Sequence, residues 1–468
     1  MTTADRSACI IVGGGIAGIA AAIALAQRGV RVTVLETRKK LGGRATSFVD
    51  VRTGHVIDNC QHVALGCCTN YLRLCEMLGV REKLAWHEAI HWLEAGGRHS
   101  VLSADPLPAP GHGGRSLVMA RFLSVRDKVA IARAMSAAMF TDRSRHAGIT
   151  FDAWLETTHP TPNSIARFWT PLIVSACNLD VDRVAASTAL HVVQEGFLAN
   201  RAGSRMAVAG VPLVELYDPA EAIIAGAGGE IRTGASVASI GEHAVTMTDG
   251  LVVHGDHVIA AVPAERAVRM VDGEVQQKDD RLARLAPHIA HSPILGVHIA
   301  FDAPVMRTPN AVLVDRQTQW IFRKDDAGRV VHAVISAADA WVPLTEPEIV
   351  DRVVADIRAC VPDAARANIV SARAVKEKLA TYAATPAFEA LRPSTRSDAS
   401  ALILAGDYVQ TGWPATMEGA ARSGFQAAAA VLGVADAELL APATTPGIVI
   451  RAIGAKGLRD QHRVTIAR

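Results

Sequence analysis

The stretch Cys9-Ile-Ile-Val12-Gly13-Gly-Gly15-Ile16-Ala17-Gly18, continuing through Ile19 to Gly29 and into Arg31-Val-Thr-Val-Leu-Glu36, decides how this chain is read. Its opening apolar residues suit a buried strand. Gly13-x-Gly15-x-x-Gly18 follows at once, and an alanine-rich helical segment then closes at Gly29. A second β-branched strand ends in Glu36, 18 positions after the third glycine. The first glycine permits a tight turn and the second lets backbone approach a pyrophosphate. The third lets the helix pack closely, with the N–H groups of Ile16 and Ala17 near the anion. Glu36, followed by Thr37, is placed to accept hydrogen bonds from a ribose, which favours FAD or NAD over NADP. Nineteen residues from Ala8 to Ala26 carry no charge, enough to span a bilayer on paper. Four glycines inside that run make it a strand, a turn and a helix instead.

Length and composition bound the rest. The chain has 468 residues and 49.4 kDa, which suits two or three domains. Half of it is hydrophobic, 20% is charged, and the mean hydropathy is +0.21. That excludes a disordered chain. Forty-eight basic against 46 acidic residues leave +2, which argues against a nucleic-acid binder with a global positive field. Of the seven cysteines, Cys60, Cys67, Cys68 and Cys75 crowd together without Cys-x-x-Cys spacing. Reduced thiols in a cytoplasmic protein are expected, with no metal site. The N-terminus has no signal-peptide layout. A second glycine cluster, Gly226 to Gly229, reads as a helix stop rather than another nucleotide loop.

Two further segments point to a flavin. Leu41-Gly42-Gly43-Arg44 lies just after the second strand, and brings backbone and a permanent cation near a cofactor's phosphates or ring. Near the other end, Leu402-Ile-Leu-Ala-Gly406-Asp407 reads as a buried strand ending in a carboxylate. Gly412-Trp413-Pro414-Ala-Thr416-Met417-Glu418-Gly419 then leads into an alanine-rich helix. Together these segments resemble the amine-oxidase and phytoene-desaturase superfamily of FAD proteins. That resemblance implies an α/β fold, with a discontinuous Rossmann-like FAD-binding domain and an inserted α+β substrate domain. It places Asp407 at the ribityl–pyrophosphate region and Ala235-Ser-Val237 on the adenine side.

Within the superfamily, several segments resemble the squalene-associated branch, the hydroxysqualene dehydroxylases. They are Asp58-Asn59-Cys60-Gln61-His62, Phe168-Trp169-Thr-Pro171-Leu172, Asn178-Leu179, Ala186-Ser187, Gln319-Trp320-Ile-Phe322 and the Trp-Pro-Ala-Thr-Met-Glu-Gly run. Cys60 stands where that branch has glycine, and Asn178-Leu179 reverses its usual order. The resemblance implies reductive removal of a hydroxyl in squalene and hopanoid synthesis. A protonated hydroxyl leaves an allylic cation, reduced flavin delivers hydride to it, and an apolar pocket excludes water. It also implies a long apolar isoprenoid substrate and an external electron donor.

His62 is the first candidate for the proton, with Gln61 orienting it; a structurally satisfied histidine is the other reading. Asp58 is a third catalytic candidate, or a local turn acceptor. Glu418 either tunes the ring or caps a helix. Trp169, Trp320 and Trp413 are expected to line the substrate cavity, although core packing competes for at least one of them. Apolar helix-like runs at 116–123 and 129–140 are read as core or as the wall of a hydrocarbon tunnel.

These motifs divide the chain into FAD-binding segments 1–85, 205–265 and 398–434 and substrate segments 86–204 and 266–397. Residues 435–468 are left as a linker and a basic tail. From Arg451 to Arg468 there are five Lys or Arg residues and one Asp. Beside them lie Ile448, Val449, Ile450, Ile453 and Leu458. Weak docking to an anionic membrane surface and a solvated tail are both compatible with that pattern. Competing functions are a desaturase or oxidase acting on a carotenoid precursor or an amine, and a non-catalytic isoprenoid-lipid-binding protein on the same scaffold.

Overall fold

A computed structural model describes residues 7–455. The strand Ala8–Val12 sits at the centre of a five-stranded parallel sheet. Its order is Glu230–Thr233, Arg31–Glu36, Ala8–Val12, His257–Ala260, Ile403–Leu404. Ile10 pairs with Thr33 on one side and Val258 on the other. Strands from both ends and the middle of the chain therefore build one sheet. The helix Ile16–Ala26 is buried at every residue. It packs against the helix Met417–Leu432 so closely that a Cβ on Gly424 would lie 2.2 Å from the Ala17 carbonyl oxygen. The uncharged run is oily because a whole helix is enclosed. Among the described residues, no helix is long and apolar enough to cross a membrane. The helix Pro219–Gly226 ends at the second glycine cluster, and the edge strand Glu230–Thr233 follows it.

A second, seven-stranded sheet runs Ile369–Tyr382, His291–Phe301, Val330–Ile335, Trp320–Arg323, Asn310–Leu313, Ala89–Leu93, His99–Ser103. Most of its pairings are antiparallel, and Asn310–Leu313 runs parallel to Ala89–Leu93. Helices from residues 114–198 gather against one side of it around Trp154, Trp169 and Leu190. Segments on either side of the second sheet's strands also pack against the parallel sheet. Ala264, Ala267, Leu282, Leu285 and Phe388 share a core with Val258 and Leu404 of the parallel sheet.

The described part of the C-terminal region is held to the rest of the fold by hydrogen bonds. The stretch 441–447 is not a free linker. Ala441 N–H donates to Asn70 Oδ1 at 2.8 Å, Asn200 Nδ2 donates to Thr445 O at 2.6 Å, and Gly447 N–H donates to Ala199 O at 2.8 Å. The helix Ile448–Ile453 then buries Ile450 in the helical core, while Ile448 and Ile453 stay exposed. Leu458 and the basic positions beyond residue 455 lie outside the described residues.

Candidate active site

Between the two sheets lies one continuous cavity of about 760 Å³. Its first end is the glycine turn. Gly13 has φ +112°, and a Cβ there would lie 2.5 Å from the Ala261 carbonyl oxygen. A Cβ on Gly18 would lie 1.9 Å from the Gly13 oxygen, so this third glycine seats the helix against the turn and does not itself line the cavity. No side chain caps the helix Ile16–Ala26 at Gly15, and Gly15, Ile16 and Ala17 face the cavity. A cradle of bare backbone and uncapped N–H groups fits a pyrophosphate. Glu36, beside Thr37, accepts the Gly14 and Arg38 N–H groups, each at 2.7 Å. Its remaining lone pairs fit a ribose. Ala235, Ser236 and Val237 complete this end.

The Gly-Gly-Arg segment folds back onto the turn, with Gly42 N–H donating to Gly14 O at 2.9 Å and Gly43 facing Gly15. Arg44 forms an ion pair with Asp407 and lies 5.0 Å over the Tyr382 ring. Burial opposes its charge, but Asp407 and Tyr382 outweigh burial and hold the guanidinium above its ordinary value. Two cofactor candidates 363 residues apart thus form one charged unit beside Gly406. Thr416 and Met417 line the next part of the wall, and the Thr416 hydroxyl accepts Gly419 N–H at the start of the helix Met417–Leu432. Glu418 does not cap that helix. Its carboxylate accepts Asn70 N–H at 3.1 Å and Tyr71 N–H at 2.7 Å, and so caps the helix Thr69–Met77.

Gln61 and His62 lie in the cavity wall, past the dinucleotide end. His62 Nδ1 donates to Cys60 O at 3.1 Å, which leaves Nε2 as the acceptor. Burial above all pulls its pKa down, against the Cys60 carbonyl and Asp58. Asp58 is not in the wall: it accepts the Ser47 hydroxyl at 2.8 Å and the Leu213 N–H at 3.0 Å. Lys324, unexpected from sequence, joins the two, with Nζ 3.3 Å from both Asp58 Oδ2 and Gln61 Oε1. It follows a segment that sequence had singled out, but nothing in that segment marks a charge at the wall. The Cys60 and Cys177 thiols also face the cavity, and burial pushes each up to about 12, so neither is a ready nucleophile.

Away from the dinucleotide end the wall is rich in apolar side chains, Ile90, Leu172, Phe197, Ile294, Phe322 and Val334, with Ser175 and Ser336 also in the lining. Trp320 and Trp413 are in the wall of this cavity. Trp169 is not. It is fully buried with Phe151 and Phe168 edge-on at 5.7 and 5.1 Å, because its helix turns that face into the core. The runs at 116–123 and 129–140 do not form the wall either. Ile131, Ala134 and Ala138 pack into the core, while Val118, Met119, Val125 and Val129 face outward. Asn178, at φ +50° after the helix Thr170–Cys177, ties that helix to the sheet. It donates to Ser292 O at 2.8 Å and accepts Ala337 N–H at 2.8 Å.

The family model described as flavin containing amine oxidoreductase matches residues 16–432. The chain belongs to this family. It is an FAD-dependent oxidoreductase, and its glycine turn, Glu36 and the Arg44–Asp407 unit fit that cofactor. A hydroxysqualene dehydroxylase of Rhodopseudomonas palustris is 28% identical over 449 residues, covering 90% of this chain and 97% of the relative. A zeta-carotene desaturase of Synechocystis sp. is 25% identical over 475 residues, covering 90% and 96%. Among solved structures of the same fold, cyclohexylamine oxidase from Brevibacterium oxydans superposes with a TM-score of 0.67 at 18% identity, covering 92% of this chain and 99% of that one.

Proposed function

We propose that this oxidoreductase reductively removes the hydroxyl of a long allylic isoprenoid alcohol of the hydroxysqualene type, releasing the hydrocarbon and water. The observation that carries this reading is the single cavity that joins a dinucleotide cradle to a chamber with a stretch of wall rich in apolar side chains. Beside Ile90, Leu172, Ile294 and Phe322 a charged amine would lose its hydration, at a cost of several kcal/mol or more, so that part of the wall favours a hydrocarbon; of the carboxylates in the lining, Glu195 is already paired with Arg143. FAD, when bound and reduced, supplies the two electrons and the hydrogen that replace the hydroxyl, and an external donor renews them. The protein's own share is to enclose the hydrocarbon, exclude water and present polar groups to the leaving oxygen. Gln61 and His62 stand where the chamber meets the cradle, with the Gln61 amide held by Lys324. Asp58 acts through Lys324 as a positioning residue.

A second reading, oxidative desaturation of a carotenoid precursor, is favoured by the zeta-carotene desaturase relative and uses the same chamber. Anaerobic incubation of the reduced holoenzyme with hydroxysqualene distinguishes the two. Flavin reoxidation matched by squalene formation is expected. No squalene, together with dehydrogenation of phytoene or zeta-carotene by the oxidised enzyme, would overturn the first reading. The exposed apolar side chains at Val118, Met119, Val125, Val129, Ile448 and Ile453 support weak contact with a membrane surface, where such a substrate dissolves.

A further inference from the structure

A smaller cavity of about 230 Å³ lies against the main one, and the two share Thr188, His191, Trp413 and Pro414. Its lining includes the charged and polar side chains of Arg143, Ser144, Ser187, Glu389, Arg392 and Gln410, beside Ala147, Trp413 and Pro414. Ser144, Gln410 and Gly412 are exposed, so this space lies open toward solvent, and Thr188, His191, Trp413 and Pro414 stand between it and the main cavity. Most charges along it are matched. Arg143 donates to Glu195 at 3.1 Å, and Arg392 donates to Glu389 Oε2 at 3.0 Å and to the carbonyls of Asp407 and Trp413 at 2.9 and 2.7 Å.

Two side-chain atoms along it are not matched. His191 Nε2 and Glu389 Oε1 are buried without a hydrogen-bond partner. Of the described residues with such an atom, His191 alone lines the main cavity. Its ring is held edge-on by Trp413, with centroids 4.5 Å apart. An orphaned buried polar atom costs about 1–3 kcal/mol unless water or a ligand meets it. A space of this size that opens to solvent and carries such side chains holds several waters.

We propose that the side cavity is a water-filled passage serving the reaction, and that His191, at its junction with the main cavity, hydrogen-bonds the hydroxyl of the substrate. The inference rests on the dehydroxylation reading and adds the route that reading lacks. The carbon–oxygen bond breaks with its electron pair on oxygen. That oxygen takes one proton, relayed from solvent along the passage and across the His191 ring, and departs as water by the same route. The two electrons and the hydrogen that end on carbon come from reduced FAD. An apolar chamber thereby stays dry while its one reacting oxygen is served from the polar side. The charged groups that act on His191 are Arg143, Arg422 and Arg392, whose carboxylate partners are Glu195, Glu418 and Glu389. Burial first, then the three arginines, hold the imidazole well below its ordinary pKa, so it relays a proton without storing charge.

The test compares oxidised holoenzyme, in which nothing turns over, with reduced holoenzyme. Titration of the oxidised form, read by the flavin spectrum, is expected to show tighter binding of hydroxysqualene than of squalene. His191→Phe is expected to reduce that preference about tenfold, the worth of one hydrogen bond. In the reduced form it is expected to slow conversion about 10²-fold with FAD content unchanged. His191→Gln, which keeps a hydrogen bond but relays no proton, is expected to retain the preference and lose the rate. Ser187→Leu, which plugs the passage, is expected to lower kcat and leave KM unchanged. Wild-type preference and rate in both His191 variants would overturn the proposal, as would a raised KM with unchanged kcat in Ser187→Leu. A wild-type enzyme that binds the alcohol preferentially but forms no squalene sinks the dehydroxylation reading alone, and the binding arm still decides the role of His191.

Discussion

A Cβ on Gly18 would sit 1.9 Å from the Gly13 carbonyl oxygen, with backbone rather than a movable side chain in the way. Gly18→Ala is therefore expected to force the helix off the turn, at about 1–3 kcal/mol, and to empty the cofactor site. Purified variant protein with wild-type FAD content and melting temperature would contradict this. Such a residue is legible in sequence because its constraint is local: turn, helix and cradle lie within ten residues. His62 and Gln61 were legible only through resemblance, and the structure adds the reason for their orientation, since Cys60 O and Lys324 hold them. Lys324 and His191 were not legible at all. Each acquires its surroundings from residues far along the chain, and nothing in the neighbouring sequence separates either from an ordinary charged or buried side chain. Trp169 fails the other way, since an aromatic near a predicted pocket motif is marked by type, whereas its direction depends on the turn of a helix.

Among the elements, the helices Met417–Leu432 and Thr69–Met77 are coupled by one carboxylate. Glu418 stands in the first turn of the former and caps the latter through Asn70 and Tyr71. Burial raises its pKa above the usual carboxylate range, despite Arg422 3.8 Å away and the three donors from Asn70 and Tyr71. The sign follows from proton counting. The folded state holds this proton to higher pH than the unfolded chain does, so stability falls as pH rises from about 4.5 through the raised value. Glu418→Gln is expected to remove that slope. It should also cost about 1–3 kcal/mol, because its amide nitrogen faces N–H donors. Thermal melts of both proteins at several pH values check both halves; an unchanged slope would place the titration elsewhere. Sequence offered ring tuning or capping of the flavin-side helix for Glu418. The helix actually capped begins 349 residues earlier, at Thr69, and only the packing of the two helices could name it.

At the scale of the whole molecule, the C-terminal helix does two jobs with alternate side chains. Ile450 is buried in the helical core, while Ile448 and Ile453 are exposed. Ending the chain at Gly447 is expected to cost about 2 kcal/mol or more, because it strips a fully buried isoleucine from that core. The double change Ile448→Ser and Ile453→Ser should leave the melting temperature near wild type and weaken sedimentation with phosphatidylglycerol vesicles. Equal sedimentation would end the membrane-contact proposal. The two sheets show where sequence stops. The parallel sheet was readable because glycine spacing, β-branched runs and a trailing acid are short-range signals with a fixed geometry, and each strand carries its own. The assembly of one cavity from the two sheets was not, because its wall is chosen by long-range packing. By itself the sequence determined the dinucleotide turn, the buried helix after it and the flavin-side motifs, since each is a local backbone requirement that few residue types satisfy. Only the tertiary structure decided which tryptophans face the cavity, that Lys324 and His191 stand in or against its wall, and that the apparent linker is pinned. Those depend on which surfaces meet when distant segments bury their apolar faces together.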